Sequence, residues 1–195
     1  MKKIRKLKPI NQQPLTARFY SRSKAQQQAI YSLTSSNFSP DLAVTLTFTE
    51  CPFNGDVNAY NHQQTNDQYK QCDEIIKKLM ARLNQEYHGK RWYKKMMWDK
   101  RQVIQVYIVI ETSKNKHYHY HLAFEVPKTE PRNSNKNFRE HVKDYWGCIG
   151  FRKSCLGSKQ QVEFDDIYNN GWIEYITKDL HKDDGAGMSE YSNFS

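Results

Sequence analysis

The chain has 195 residues, enough for one domain with a hydrophobic core, and a formal net charge of +9. This charge favours a polyanionic partner, because each phosphate contact releases counterions. The longest apolar run, at residues 106–110, is far shorter than the roughly 20 residues of a membrane-spanning helix, so no membrane partner is predicted. The four cysteines form no C-x-x-C pair, which argues against a disulfide scaffold and a cysteine zinc site and predicts a reducing, cytoplasmic location.

Composition divides the chain into three parts. Residues 1–40 are predicted to form a basic N-terminal arm, because five Lys and Arg residues at positions 2–8 precede Gln- and Ser-rich sequence. One short helix is expected within this arm, at residues 25–33. Residues 41–182 contain the periodic segments of a folded domain, and residues 183–195 are predicted to be a loose C-terminal tail.

Hydrophobic periodicity predicts the order of elements in the folded domain. Segments with alternating or β-branched sequence are the predicted strands, at residues 43–48, 103–111, 118–126 and 161–164. Segments with apolar residues at helical spacing are the predicted helices, at residues 67–87, 137–146 and 172–180. The order is typical of the ferredoxin-like split β-α-β fold. We therefore predict an α+β domain with an antiparallel sheet, helices on one face and an active site on the other.

Side-chain alternation places polar residues of three predicted strands on one face of the sheet. On the third strand, His119 and His121 occupy odd positions, whereas the even positions are apolar. Glu111 lies opposite the apolar face of the second strand, and Thr45 and Thr47 lie opposite that of the first. Because three strands sort their polar groups in the same way, we expect a functional site on this face.

The histidines on the third strand have the spacing of metal ligands. Side chains at i and i+2 on a strand point the same way, so His119 and His121 are within reach of one ion. With Glu111 across the hairpin, their nitrogen and oxygen donors suit Mn²⁺, Mg²⁺, Zn²⁺ or another divalent ion. His117 has the same parity, so the pair His117 and His119 is an open alternative. The alternative, that these histidines are ordinary polar residues facing water, is disfavoured because three of the seven histidines fall within five residues.

The last predicted helix carries Tyr175 and Lys178, which are three residues apart and share one face. Tyrosine is a competent nucleophile when its hydroxyl proton is removed and the attacked phosphate is polarised. The spacing alone is weak evidence because the chain has 13 tyrosines. Considered without the histidines, Tyr175 is more simply a surface tyrosine.

Three short segments resemble the motifs of one enzyme superfamily. HYHYHLAF, aligned with its motif histidines at His119 and His121, resembles the HUH motif of HUH endonucleases. TLTF at residues 45–48 resembles the first motif of the replication initiators in this superfamily, and YITKD at residues 175–179 resembles their third motif. The resemblance covers roughly residues 42–182 and keeps the family order. The folded domain is therefore identified as a single-tyrosine HUH endonuclease domain of the rolling-circle replication initiator type.

The resemblance implies a role for each matched residue. The two motif histidines and Glu111 would hold the divalent metal, Mn²⁺ or Mg²⁺. Tyr175 would attack the scissile phosphate, and Lys178 would orient or neutralise charge around the phosphate and metal. Asp179 matches an acidic residue that follows the lysine in some relatives. The family fold is the ferredoxin-like one that the strand pattern predicts.

The resemblance also implies a reaction and a set of partners. The reaction is sequence-specific nicking and joining of single-stranded DNA through a 5′-phosphotyrosine, which leaves a free 3′ hydroxyl to prime a polymerase. The substrate is single-stranded or hairpin DNA at the replication origin of a plasmid, phage or mobile element. Because the chain has no G-x-x-x-x-G-K-[ST] loop, a host helicase as well as a host polymerase is expected to take part.

Basic and aromatic residues before the second predicted strand are candidates for DNA binding, because bases stack on rings and phosphates attract cations. They are Lys90, Arg91, Trp92, Tyr93, Lys94, Lys95, Trp98 and Arg101. Thr45 and Thr47 of the first motif are further candidates. The alternative for residues 90–101 is a solvated linker whose aromatic side chains fill the core.

Other functions fit parts of the pattern. A single-tyrosine HUH transposase or relaxase has the same motifs, although a relaxase usually carries its tyrosine early in the chain. A DNA-binding module without catalysis would use the same fold, but the complete set of motif residues argues against it. A structural zinc protein is disfavoured by the missing cysteine pairs.

Overall fold

The computed structural model describes residues 24–48, 62–112, 118–151, 154–155, 157–169, 171–177, 186–188 and 192. Its α-helices are α1 (Lys24–Ser35), α2 (His62–His88), α3 (Trp92–Trp98), α4 (Phe138–Gly147) and α5 (Gly171–Thr177), with a 3₁₀ turn at Lys100–Gln102. Its strands are β1 (Leu42–Phe48), β2 (Gln105–Thr112), β3 (Tyr118–Glu125), β4 (Gly150–Phe151), β5 (Ser154–Cys155), β6 (Gly157–Asp166) and β7 (Ala186–Met188). No helix in this described part of the chain combines the length and apolarity needed to cross a membrane.

The main sheet has the strand order β6-β1-β3-β2-β7, and each neighbouring pair is antiparallel. Helix α2 connects β1 to β2, which lie on either side of β3, and α4 lies between β3 and β6 in the chain. This is the split β-α-β arrangement of a ferredoxin-like fold. The predicted fold class, an α+β domain with an antiparallel sheet, is confirmed.

One face of the sheet carries the main hydrophobic core. The buried strand residues of this core are Leu42, Val44, Leu46, Phe48, Val106, Ile108, Ile110, Tyr120, Leu122, Phe124 and Val162. Its helix residues are Cys72, Ile75, Ile76, Leu79, Met80, Leu83 and Tyr87 of α2, and Phe138, Val142 and Trp146 of α4. The strand residues alternate along each strand, as the period of two requires, and the helix residues recur at helical spacing. The face that the sequence predicted to be apolar is therefore the face that α2 and α4 cover.

A second, smaller cluster lies on the opposite face of the sheet. It consists of Ile30, Leu33, Phe38, Tyr107, Val109, Ala123, Ile167, Trp172, Ile173 and Ile176. The expectation of helices on one face therefore describes α2 and α4, whereas α1 and α5 pack on the other face. The described part of the predicted N-terminal arm contributes buried residues, because α1 has an apolar stripe that the Gln-rich composition concealed.

Further differences from the sequence predictions concern short elements. Helix α3 was not predicted, and β6 is longer than the predicted strand at residues 161–164. Three residues of the predicted loose tail form β7, which pairs with β2, and the hydroxyl of Ser192 accepts a hydrogen bond from the backbone N–H of Ile108 at 3.0 Å. Pairing with a sheet edge supplies hydrogen bonds that local sequence does not reveal.

Candidate active site

The register of the sheet brings the predicted site residues of three strands together. Strand β3 lies between β1 and β2, and His121 pairs with Thr45 on one side while His119 pairs with Thr47. On the other side His119 pairs with Glu111. Their side chains lie on the face opposite the main core, at the end of the sheet where β1 and β2 finish and β3 begins. A contiguous polar group results from residues up to 76 positions apart in sequence.

His121 is the most buried member of this group, with 8% of its surface exposed. Its Nε2 lies 2.9 Å from a carboxylate oxygen of Glu111, and its Nδ1 lies 3.1 Å from the hydroxyl oxygen of Thr45. A neutral ring that donates from Nε2 to the carboxylate accepts the Thr45 hydroxyl proton at Nδ1. The orientation of the imidazole is therefore fixed at both of its nitrogens.

His119 repeats part of this arrangement two residues earlier on β3. Its Nδ1 lies 3.0 Å from the hydroxyl oxygen of Thr47, and its ring is partly exposed. The indole N–H of Trp146 donates to the main-chain carbonyl of Thr47 at 3.2 Å, which ties this end of β1 to α4. Two threonines at i and i+2 on one strand thus contact two histidines at i and i+2 on its neighbour.

Tyr175 stands beside His121 because α5 is anchored on its other side. Trp172, Ile173 and Ile176 are buried in the second cluster, whereas Tyr175 is 53% exposed. The rings of Tyr175 and His121 meet edge to face, with their centroids 5.5 Å apart. The predicted nucleophile therefore lies next to a predicted metal ligand while remaining accessible to a substrate.

His121 and Glu111 together provide some, but not all, of the ligands that a divalent ion needs. His121 Nε2 and Glu111 Oε2 lie at hydrogen-bond distance, 2.9 Å, and imidazole with carboxylate is a donor set that Mn²⁺ accepts. Among the described residues, no three His, Cys, Asp or Glu side chains form a ready-made ion cage. His119, which faces Glu111 in the register, is the next donor along the strand.

Three predicted site residues, Lys178, Asp179 and His117, lie outside the described residues. The structure therefore brings together Glu111 and His121 with the ring of Tyr175. The choice between the histidine pairs at positions 119 and 121 or 117 and 119 stays a prediction.

The basic and aromatic candidates for DNA binding lie at the other end of β2. Residues 92–98 form α3, none of whose side chains is buried, so the alternative that its aromatic residues fill the core is wrong. Glu111 lies six positions after Gln105 along β2, a distance of about 20 Å at about 3.3 Å per residue. These candidates are therefore distant from the Glu111 end of the sheet.

The contacts between threonine and histidine were not predicted from the sequence. Thr45 and Thr47 were expected to bind DNA, but their hydroxyls contact imidazole nitrogens. The sequence did contain a signal, because both pairs are spaced by two residues, but the register that joins the pairs is a property of the assembled sheet.

Comparison of the chain with models of protein families, with curated proteins and with solved structures found no match.

Proposed function

We propose that this protein is a metal-dependent endonuclease and strand transferase that nicks single-stranded DNA with Tyr175 as the nucleophile. The observation that carries the proposal is the contact of the Tyr175 ring with His121, whose Nε2 lies 2.9 Å from Glu111. The proposed nucleophile is therefore accessible and lies beside side-chain atoms suited to a divalent ion. A ferredoxin-like sheet that orders its polar residues this way also agrees with the HUH resemblance.

The chemistry assigns separate tasks to the side chains. A Mn²⁺ or Mg²⁺ ion held by His119, His121 and Glu111 would polarise a non-bridging phosphate oxygen and stabilise the charge that develops there. Tyr175 loses its hydroxyl proton, its oxygen forms a bond to phosphorus, and the bond from phosphorus to the 3′ oxygen breaks. The 3′ oxygen takes up a proton, and the 5′ end of the downstream strand remains attached to the tyrosine.

Access and anchoring at Tyr175 support this role. An attacking tyrosine must reach the DNA, and Tyr175 can do so because it lies on the exposed side of α5. It must also hold its position, and the buried residues Trp172 and Ile176 fix the helix on the sheet. Lys178, three residues after Tyr175 in the sequence, is proposed to neutralise charge at the phosphate together with the following residue, Asp179. Precise placement of this kind accounts for a large part of catalytic rate in general.

We propose the initiation of rolling-circle replication as the biological role. The phosphotyrosine keeps the energy of the broken phosphodiester, so a later strand hydroxyl can displace Tyr175 and rejoin the DNA. The free 3′ hydroxyl provides a primer for a host polymerase, and a host helicase would unwind the duplex at the origin. The substrate is single-stranded or hairpin DNA of a plasmid, phage or mobile element, and the location is the cytoplasm. A transposase or relaxase would use the same chemistry on different DNA.

The proposal is tested by looking for the covalent intermediate. The protein is incubated with Mn²⁺ and a random-sequence pool of single-stranded oligonucleotides labelled at one end. A 3′ label is expected to move with the protein on a denaturing gel, because the tyrosine holds the 5′ phosphate. A 5′ label is expected on a free fragment that a DNA polymerase extends. Tyr175→Phe and EDTA should each remove both products.

Tyr168→Phe is the matched control, because Tyr168 is also an exposed tyrosine. This variant should form the adduct as the wild type does. An adduct that survives Tyr175→Phe would show that another residue is the nucleophile. DNA binding without any adduct, over the whole pool, would favour a DNA-binding module that lacks catalysis.

A further inference from the structure

Helix α3 exposes large apolar side chains and buries none of its own residues. Trp98 is 88% exposed and Met97 is 81% exposed, and Tyr93 is also exposed. Contiguous apolar side chains on the surface of a soluble domain mark sites of interaction. A helix of this kind contributes little to the fold, so its sequence needs another explanation.

Positive charge surrounds these rings. Residues 90–101 include six Lys and Arg residues and one acidic residue, Asp99, whose carboxylate accepts a hydrogen bond from Nε of Arg101 at 3.1 Å. Lys90, Arg91 and Lys94 are exposed. Cations interleaved with flat rings match single-stranded DNA, whose phosphates attract the cations and whose bases stack on the rings.

The segment that follows the helix is held on the domain by hydrogen bonds. The backbone N–H of Ile104 donates to the side chain of Asn84 at 2.9 Å, and the amide of Gln105 donates to the carbonyl of Lys100 at 2.6 Å. These bonds fix the segment between α3 and β2. A fixed platform loses little conformational freedom on binding a ligand.

We propose that α3, with its flanking basic residues, is a second binding surface for single-stranded DNA, separate from the nicking site. This inference rests on the proposed function, which supplies the single strand. The start of β2 is about 20 Å from Glu111, which corresponds to roughly six nucleotides at about 3.4 Å per nucleotide of one strand. The surface would hold a flanking part of the strand while the scissile phosphate lies at Tyr175.

The test measures DNA binding without nicking. A fluorescent oligothymidylate of about 25 nucleotides, long enough for both surfaces, is titrated with the Tyr175→Phe protein. Adding Met97→Ala and Trp98→Ala is expected to weaken binding about 5–150-fold, since one stacked base contributes roughly 1–3 kcal/mol. Adding Lys90→Gln and Lys94→Gln is expected to lower the salt slope by about 1.4, at about 0.7 per phosphate contact.

Tyr168→Ala is the control, since Tyr168 is an exposed aromatic residue that follows β6, at the other edge of the sheet from the β2 side. Its binding should equal that of the parent protein. The inference is overturned if the Met97 and Trp98 variant binds the probe as the parent does. In that case loss of a dimer in the same variant, measured by light scattering, would identify the patch as an interface between copies. The adduct assay decides separately on nicking, so the two failures are distinguishable.

A second inference rests on the threonine and histidine contacts. A metal-bound imidazole that coordinates through Nε2 must carry its proton on Nδ1 and donate it to a neighbouring acceptor. Without metal, a neutral His121 ring that donates from Nε2 to Glu111 accepts a hydrogen bond at Nδ1. A hydroxyl serves both states because it can donate and accept, and Thr45 provides one at 3.1 Å.

We infer that Thr45 and Thr47 are positioning residues for the metal site. Each contacts Nδ1 of one histidine, and each is β-branched, which restricts the rotation of its side chain. The antiparallel register places Thr45 opposite His121 and Thr47 opposite His119. The threonines of the first motif thereby align the histidines of the HUH motif. This inference rests on the metal site of the proposed function.

The test replaces the hydroxyl while keeping the shape of the side chain. Mn²⁺ binding is measured by titration calorimetry in Thr45→Val, Thr47→Val and the corresponding Ser variants. The Val variants are expected to bind Mn²⁺ about 10–100-fold more weakly, the usual cost of losing an outer partner of a ligand. The Ser variants should bind as the wild type, because they retain the hydroxyl.

Thr34→Val is the matched control, because the Thr34 hydroxyl bonds to the carbonyl of Ile30 on α1. It should leave Mn²⁺ binding unchanged. Wild-type Mn²⁺ affinity in both Val variants would overturn the inference. If those variants also bound DNA more weakly, the threonines would be residues that bind DNA, as the sequence predicted. A wild-type protein that binds no Mn²⁺ would instead contradict the metal site of the proposed function.

Discussion

Strand β3 presents different chemistry on the two faces of the sheet. Tyr120, Leu122 and Phe124 point into the main core beneath α2 and α4, whereas His119 and His121 point to the opposite face. The difference arises because successive side chains of a strand point to opposite faces of the sheet, so alternate residues have different surroundings. The core face supplies stability, and the other face is free to carry polar groups.

The second face is itself divided along its length. Tyr107, Val109 and Ala123 are covered by apolar residues of α1 and α5, whereas the polar group lies beyond them toward the end of the sheet. Helix α5 stands at the boundary and takes part in both regions. Its buried residues complete the second cluster, and Tyr175 extends over His121. Anchoring and chemistry are therefore combined in one short helix.

The sharpest difference between the faces should appear in stability. Trp146 is fully buried and packs on the rings of Phe48 and Tyr120. Trp146→Ala is expected to lower the free energy of unfolding by about 3–5 kcal/mol, measured by urea denaturation, because it opens a large cavity. Trp98→Ala, at an exposed tryptophan, should change it by less than about 0.5 kcal/mol. Equal effects would contradict the assignment of the core face.

A substitution in the site should affect Mn²⁺ binding more than it affects stability. His121→Ala should weaken Mn²⁺ binding at least about 100-fold, because it removes a proposed ligand as well as its outer contacts. Its effect on the free energy of unfolding should stay below the loss of about 3–5 kcal/mol expected for Trp146→Ala, because a smaller ring is removed. Calorimetric titration and urea denaturation measure the two quantities.

His141→Ala is the control for that experiment. His141 is buried on the core side, between the rings of Tyr87 and Tyr145. Its replacement should destabilise the fold and leave Mn²⁺ binding unchanged. If His121→Ala unfolded the protein and spared metal binding, His121 would belong to the structural core and the division between the faces would fail.

The fold was predictable from sequence because its strands obey a simple alternation. The residues of β1 from Val44 to Phe48 place every second side chain in the main core, and α2 carries Ile75, Ile76 and Leu79 at helical spacing. The site was predictable in part for the same reason, because parity puts His119 and His121 on one face. These inferences need only local geometry.

Other features depend on contacts between segments that are distant in the sequence. Helix α3 has no buried face, so its aromatic residues and methionines do not form a stripe that packs on the core. Helix α1 has buried residues at Ile30 and Leu33, but they are too few within Gln- and Ser-rich sequence to predict packing. The Thr45 contact with His121 depends on the β1–β3 register, which no local pattern encodes.

A smaller effect is expected from a single hydroxyl in the core. The O–H of Tyr120 donates to the main-chain carbonyl of Cys72 at 2.6 Å, which ties β3 to α2 in a buried position. Tyr120→Phe is expected to lower the free energy of unfolding by about 1 kcal/mol, measured by urea denaturation, since it removes one hydrogen bond and leaves that acceptor without this donor. Tyr175→Phe, at an exposed ring of the site face, should leave stability unchanged. Equal losses would contradict the distinction between the two tyrosines.

The smallest effect should come from surface charge on α4, outside the core that this helix helps to form. The Lys136 and Lys159 ammonium groups bond to the carboxylate of Asp144 and lower its pKa from 3.8 to about 2. The unfolded state therefore binds the proton more readily, so the contribution of Asp144 to stability is present above about pH 4 and is lost as the pH falls toward 2.

Asp144→Asn tests whether this contribution to stability is lost, rather than gained, as the pH falls. The ion pairs are solvent-exposed, so the variant should be less stable than the wild type by at most about 1 kcal/mol at neutral pH. Urea denaturation from pH 7 downward should show this difference shrinking once the pH falls below the unfolded pKa of 3.8. A difference that grew on acidification would mean that the folded state binds the proton more tightly, and that the lysines do not stabilise the carboxylate. The same substitution should leave Mn²⁺ binding unchanged, because the charges of α4 lie on the side of the sheet away from His121.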